Sequence, residues 1–178
     1  MIGYSEVLQT MAAMIIFSMI LMNANNLIHR NTLVQIDGEL EQQVIALGQE
    51  IIEESRAKSF DEVVDGTVMP PTAIPGGFTP AQYLGPDDPN NYCDNGEPAR
   101  RCFNDFDDYN GWEETITTDH GNFKISVEVF YVDDINFEKI NTQSTFKKIE
   151  VSITSEFLRS GDEPRTYKLE FIRNYYAD

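Results

Sequence analysis

Two hydrophobic regimes divide the chain. The first is helical in character and runs to about residue 60, and the second alternates with a period of two from Glu113 onward. Between Val7 and Ile28 there is no charged residue. As a helix this run reaches about 33 Å at ~1.5 Å per residue, enough to cross the hydrocarbon core of a bilayer. The pattern then becomes one-sided. Leu33, Ile36, Leu40, Val44, Leu47 and Ile51 recur at helical spacing, opposite Asp37, Glu39, Gln42, Gln49, Glu53 and Glu54. No proline precedes Pro70, so nothing forces a break before about Phe60. The spacing predicts one helix of roughly 50–60 residues, where globular helices average about 11–12. Asn23, Asn25 and Asn26 are weak helix formers, and Gly38 and Gly48 each cost about 1 kcal/mol relative to Ala. A slightly weakened continuous helix and a locally melted stretch at Asn23–Asn26 both fit this composition.

Residues 61–112 read as irregular. They hold every proline except Pro164, with turn signals at Pro70-Pro71, Pro75-Gly76-Gly77, Pro86–Asn91 and Asn95-Gly96. The alternating segments that follow predict strands at Glu113–Thr118, Phe123–Val132, Lys147–Phe157 and Tyr167–Tyr175, the last after a turn at Ser160–Pro164. Sequential strands joined by turns favour an antiparallel meander. One face of that sheet needs cover, and the Leu33–Ile51 stripe is the long apolar surface on offer. The expected fold is therefore α+β: a long N-terminal helix on a C-terminal antiparallel sheet of three or four strands, with a long irregular loop between. Residues 1–30 form a hydrophobic stem. Residues 31–178 form a head made of an amphipathic helix (31–60), a loop region (61–112) and a sheet (113–178).

Charge narrows the function. Thirteen Lys and Arg face thirty Asp and Glu, a formal charge of −17. Direct nucleic-acid binding is not expected, because it needs a basic surface to displace counterions from phosphates. Docking on an anionic membrane through a basic patch is disfavoured for the same reason. The two cysteines, Cys93 and Cys102, sit in a Pro-, Asn-, Asp- and Gly-rich loop without CxxC spacing or a nearby histidine. Two free thiols would suit a cytosolic loop, and a disulfide would clamp an extracellular one. With a membrane stem ahead of an acidic head, the disulfide and an outward location are the expected reading.

No catalytic motif emerges. His29 and His120 are far apart in sequence, and GxSxG, Walker A and GxGxxG are all missing, so an enzyme is not expected. The most distinctive local feature is Asn104–Trp112. Asp105, Asp107, Asp108 and Asn110 could gather oxygens around calcium, but Tyr109 and Asn110 break the EF-hand frame. The alternative is an Asx-rich turn anchored by Phe106, Tyr109 and Trp112. No cofactor other than calcium is suggested. Glu6 stands immediately before the uncharged run, either as a headgroup-level charge or as a carboxylate that meets a positive group from another subunit.

These features together resemble the type IV pilin and pseudopilin superfamily. The resemblance rests on Glu6 ahead of an unbroken apolar helix, its amphipathic continuation, and the stretch Ile45–Glu54 followed by Phe60-Asp61-Glu62. Phe106–Trp112 is also similar to a phrase that recurs in pilin-like subunits of the mannose-sensitive haemagglutinin type. The resemblance implies a precursor in the inner membrane, cleaved and N-methylated by a prepilin peptidase. An ATPase-driven machinery would then assemble it into a helical homopolymer at the cell surface. Glu6, Val7, Leu8, Met11, Met14, Ile15, Phe17, Ile20 and Leu21 would be its assembly residues, with Glu6 pairing with a neighbour's terminal amine. Two family features are missing: a short basic leader ending in Gly, and a helix-breaking proline in the stem. Alternatives are a minor pilin or pseudopilin of a type II secretion or DNA-uptake machine, and a single-span anchored binding ectodomain.

Overall fold

A computed structural model describes residues 3–64, 73–86, 99–119, 121–160 and 163–177. Helix α1 runs without interruption over Tyr4–Arg56. The asparagine cluster at 23–26 is helical like its surroundings. Their intrinsic preference is a few tenths of a kcal/mol each, too little to open a ladder bonded on both sides. By length and composition the helix can cross a membrane.

The chain divides into two compact units, Met1–Gln42 and Gln43–Asp178. In the first, side chains from Gly3 to Asp37 are exposed. The apolar stripe was expected to bury from Leu33 onward, and here the structure corrects the sequence. Leu33 and Ile36 remain 61% and 46% exposed, and burial begins at Leu40. Periodicity reports which side of a helix is apolar, and not how far its partner extends along it.

In the second unit, strands β1 (Glu113–Thr118), β2 (Gly121–Tyr131), β3 (Phe146–Ser160) and β4 (Glu163–Asn174) form one antiparallel sheet in sequence order. Register pairs Ile125 with Ile153, Val127 with Val151 and Val129 with Ile149, then Val151 with Leu169 and Ile149 with Phe171. Because side chains alternate, these residues share one face, and α1 from Gln43 on packs there through Val44, Ile51 and Ile52. Gly48 allows the approach: a Cβ on it would lie 2.9 Å from Leu169 Cδ1. This long helix on a four-stranded antiparallel sheet is compatible with a pilin-like fold.

The strands differ from expectation mainly at their ends. The last hairpin is tighter than the predicted Ser160–Pro164 turn, and β4 begins at Glu163 rather than Tyr167. Pro164 is tolerated because β4 is an edge strand and the proline lies at its start. A register shift between Thr154 and Arg159 absorbs the extra length of β3.

The chain leaving the helix is fastened to the sheet. Arg173 on β4 donates through Nη1 to the carbonyls of Lys58 (2.7 Å) and Ser59 (3.1 Å), and more loosely to Ser55. Lys58 and Ser59 lie just past the last helical residue, so the guanidinium ties the chain leaving α1 to β4, and only the longer bond to Ser55 reaches a carbonyl of the last turn.

Candidate assembly surface and the anchored acidic loop

Val7, Leu8, Met11, Met14, Ile15, Phe17, Ile20 and Leu21 are all exposed on the N-terminal unit. So are Ile16, Met19 and Met22, and successive helical residues turn by ~100°, so apolar surface faces every direction. Hydroxyls within the same stretch are bonded to their own backbone. Thr10 Oγ1 donates to Val7 O at 2.8 Å, and Ser18 Oγ to Met14 O at 2.8 Å. These groups therefore make no demand on their surroundings, as an apolar environment requires.

Glu6 has a partner inside the chain. It is the third residue of α1, and its Oε2 accepts the Gly3 N–H at 3.3 Å, while its own N–H donates to Gly3 O at 2.9 Å. This is the acidic half of a capping box. It also sets a negative charge at the positive end of the helix dipole. Sequence reasoning weighed Glu6 only as a headgroup charge or an intersubunit partner. The third-residue position was the signal for the cap.

The acidic loop folds inward, with its carboxylates bonded within the fold. Asp105 Oδ1 accepts the N–H groups of Asp107 (2.8 Å) and Asp108 (3.0 Å), and Asp108 Oδ2 accepts those of Asn104 (2.8 Å) and Asp105 (3.3 Å). Asn110 bridges two elements: its Nδ2 donates to Leu84 O at 2.8 Å, and its Oδ1 accepts Val129 N–H at 2.9 Å. Phe106, Tyr109 and Trp112 are buried, as the anchored-turn reading has it. Among the described residues no group of three or more His, Cys, Asp or Glu side chains is disposed to hold a metal ion. The candidate calcium residues Asp105, Asp107, Asp108 and Asn110 thus each have a partner within the fold.

A buried ionic cluster lies beneath this loop. Lys147 on β3 is fully buried. Its Nζ donates to Phe60 O at 2.8 Å, to Asp61 Oδ2 at 2.7 Å and to Asp107 Oδ1. Asp61 is held in turn by the Thr79 N–H (3.1 Å to Oδ2) and hydroxyl (3.0 Å to Oδ1), and by the Tyr131 hydroxyl at 3.2 Å. The rings of Phe60 and Tyr131 lie 4.6 and 5.3 Å from Nζ. Burial, then repulsion from Asp107 and Asp108, pushes the Asp105 carboxyl up to about 8. Burial also pushes Asp107 up, against the pull of Lys147. Burial and the nearby Asp61 carboxylate raise the Tyr131 phenol, so it stays a hydrogen-bond donor.

A second set of contacts fixes the loop to the helix. Arg100 reaches Glu50 Oε1 at 2.8 Å and Glu54 Oε2 at 2.5 Å, and the Tyr109 hydroxyl donates to Glu54 Oε1 at 2.9 Å. Glu54, assigned by its pattern to the solvent face, is in fact a half-buried anchor. Sequence reasoning missed the roles of Lys147, Asp61 and Arg173. The signal was there for two of them: Lys147 and Arg173 sit in the inward phase of β3 and β4, where alternation calls for apolar side chains.

His29 is exposed on the stem, and His120 lies outside the described residues. Cys93 also lies outside them, and no described cysteine is a free thiol. No protein-family model, curated protein or solved structure matches the chain.

Proposed function

We propose that this chain is a structural subunit of a type IV pilus-like extracellular filament, held in the inner membrane before assembly and packed through its N-terminal helix afterwards. The observation that carries this reading is the apolar stem. It is uncharged from Val7 to Ile28, exposed on all sides in the single chain, and continuous with the helix that packs on the sheet. Soluble monomers rarely expose apolar patches beyond a few hundred Å², so such a surface calls for cover. A bilayer supplies it to the unassembled subunit, and neighbouring stems supply it in the fibre. The other partners are a prepilin peptidase and an assembly ATPase.

Glu6 then has two successive roles. In the single chain it caps its own helix. In a bundle of stems it pairs with the terminal amine of a neighbour, which neutralises both and fixes one axial stagger. Such pairs are better evidence for register than for stability. A Cys93–Cys102 disulfide, which would clamp the loop ahead of the acidic turn, fits the same extracellular setting.

Deleting residues 1–28 tests the assignment. The full chain should sediment as polymer or remain with membranes, and the truncated chain should be a soluble monomer with α+β circular dichroism. A truncated chain that still polymerises into the native fibre would overturn the proposal. So would a full-length chain that stays monomeric in the membrane under conditions of assembly.

A further inference from the structure

We propose that Lys147 and Asp107 condense into an intramolecular amide, with Asp61 as the proton acceptor, so that β3 is covalently tied to the acidic loop. The inference rests on three side chains that share one dry site. Lys147 and Asp61 have no side-chain exposure, Asp107 has 4%, and Nζ touches both carboxyl groups. Phe60 and Tyr131 are buried, with their ring centroids 4.6 and 5.3 Å from Nζ. A plain ion pair would account for one carboxylate, and the cluster presents a second in direct contact with the same nitrogen.

The reaction needs no cofactor, oxidant or activated donor. In water an amine and an acid do not condense readily, because both are charged and solvent competes. Here the site is closed to solvent, and a proton passed from Nζ to its bonded carboxylate leaves no unpaired charge behind. Nζ already donates to Asp61 Oδ2 at 2.7 Å, which is the path for its first proton. The neutral amine then attacks Cγ of Asp107 in its acid form, the form favoured by burial. A second proton leaves the nitrogen, and the Asp107 hydroxyl departs with it as water. Lys–NH₃⁺, Asp107–COOH and Asp61–COO⁻ thus become one amide, one water and Asp61–COOH, with no net charge on either side. Holding the reactants in place stands in for an effective concentration that reaches about 10⁵–10⁸ M in well-oriented intramolecular reactions. Thr79 and Tyr131 fix the acceptor in position. The inference does not depend on whether the chain forms a filament.

The test is the intact mass of the folded full-length chain, measured after denaturation and disulfide reduction. The expected mass is one water below that of the sequence, and fragmentation should yield a branched peptide joining Lys147 to Asp107. Lys147→Arg keeps a cation but cannot form this amide, and Asp61→Asn lacks the acceptor; both should show no water loss. An unshifted wild-type mass would overturn the proposal, since it needs no variant to fold. Water loss that persists in Lys147→Arg, or a branch at Asp61, would overturn it equally.

Discussion

At the residue scale, the charged groups that matter are those the fold has removed from water. Asp105 is 3% exposed and its carboxyl is pushed from 3.8 to about 8, chiefly by burial. The folded state therefore holds this proton more tightly than the unfolded chain does. Linkage then makes stability fall as pH rises from about 4 through about 8, and level off above that range. Asn at this position imitates the protonated acid and keeps an acceptor for the Asp107 and Asp108 N–H groups. Asp105→Asn should accordingly flatten the pH dependence of chemical denaturation between about pH 5 and 8, with its largest gain over wild type at the upper end. Equal slopes for the two proteins would show that Asp105 is not protonated in the fold. Burial is the leading cause of the shift, so the sign holds for either covalent state of Lys147. None of this was readable from composition. Three aspartates within four residues do not reveal that the backbone turns its own N–H groups toward Asp105 and Asp108, while Asp107 meets Lys147.

At the element scale, helix and strands were legible because each is governed by a period. The uncharged run, the stripe and the lack of proline gave a helix ending near residue 60, and it ends at Arg56. Alternation placed all four strands, and β1 matches residue for residue. What escaped was decided by partners distant in sequence. The stripe's buried part starts at Leu40, the hairpin before β4 is tighter, and Gly48 proves to be a contact point rather than a flaw in the helix. Propensity alone would make every replacement of Gly48 except proline favourable. Packing predicts otherwise, because a branched side chain must enter space held by Leu169. Gly48→Val should lower the unfolding free energy by about 1–3 kcal/mol, the usual cost of overpacking. Pairing it with Leu169→Ala should recover part of that loss in a double-mutant cycle. A Gly48→Val head as stable as wild type in urea would show that the helix does not approach β4 closely there.

At the scale of the whole molecule, two units answer to different solvents. The Gln43–Asp178 unit has a closed core, an outward polar sheet face, and buried cations that bind its loops to its strands. The Met1–Gln42 unit has an apolar helix whose surface is unsatisfied in water. That contrast was legible from the charge pattern alone, since thirty acidic residues avoid one long segment. The use of the segment was not legible, because a span and a filament core demand the same side chains. Helical reconstruction by electron cryo-microscopy of the proposed fibre separates these uses most directly. The account predicts a fibre whose axis is lined by the Val7–Ile28 helices, with the heads outside and each Glu6 carboxylate about 2.7–3.2 Å from a neighbour's terminal amine. A fibre held together by its heads, with the stems outside the core, would contradict it.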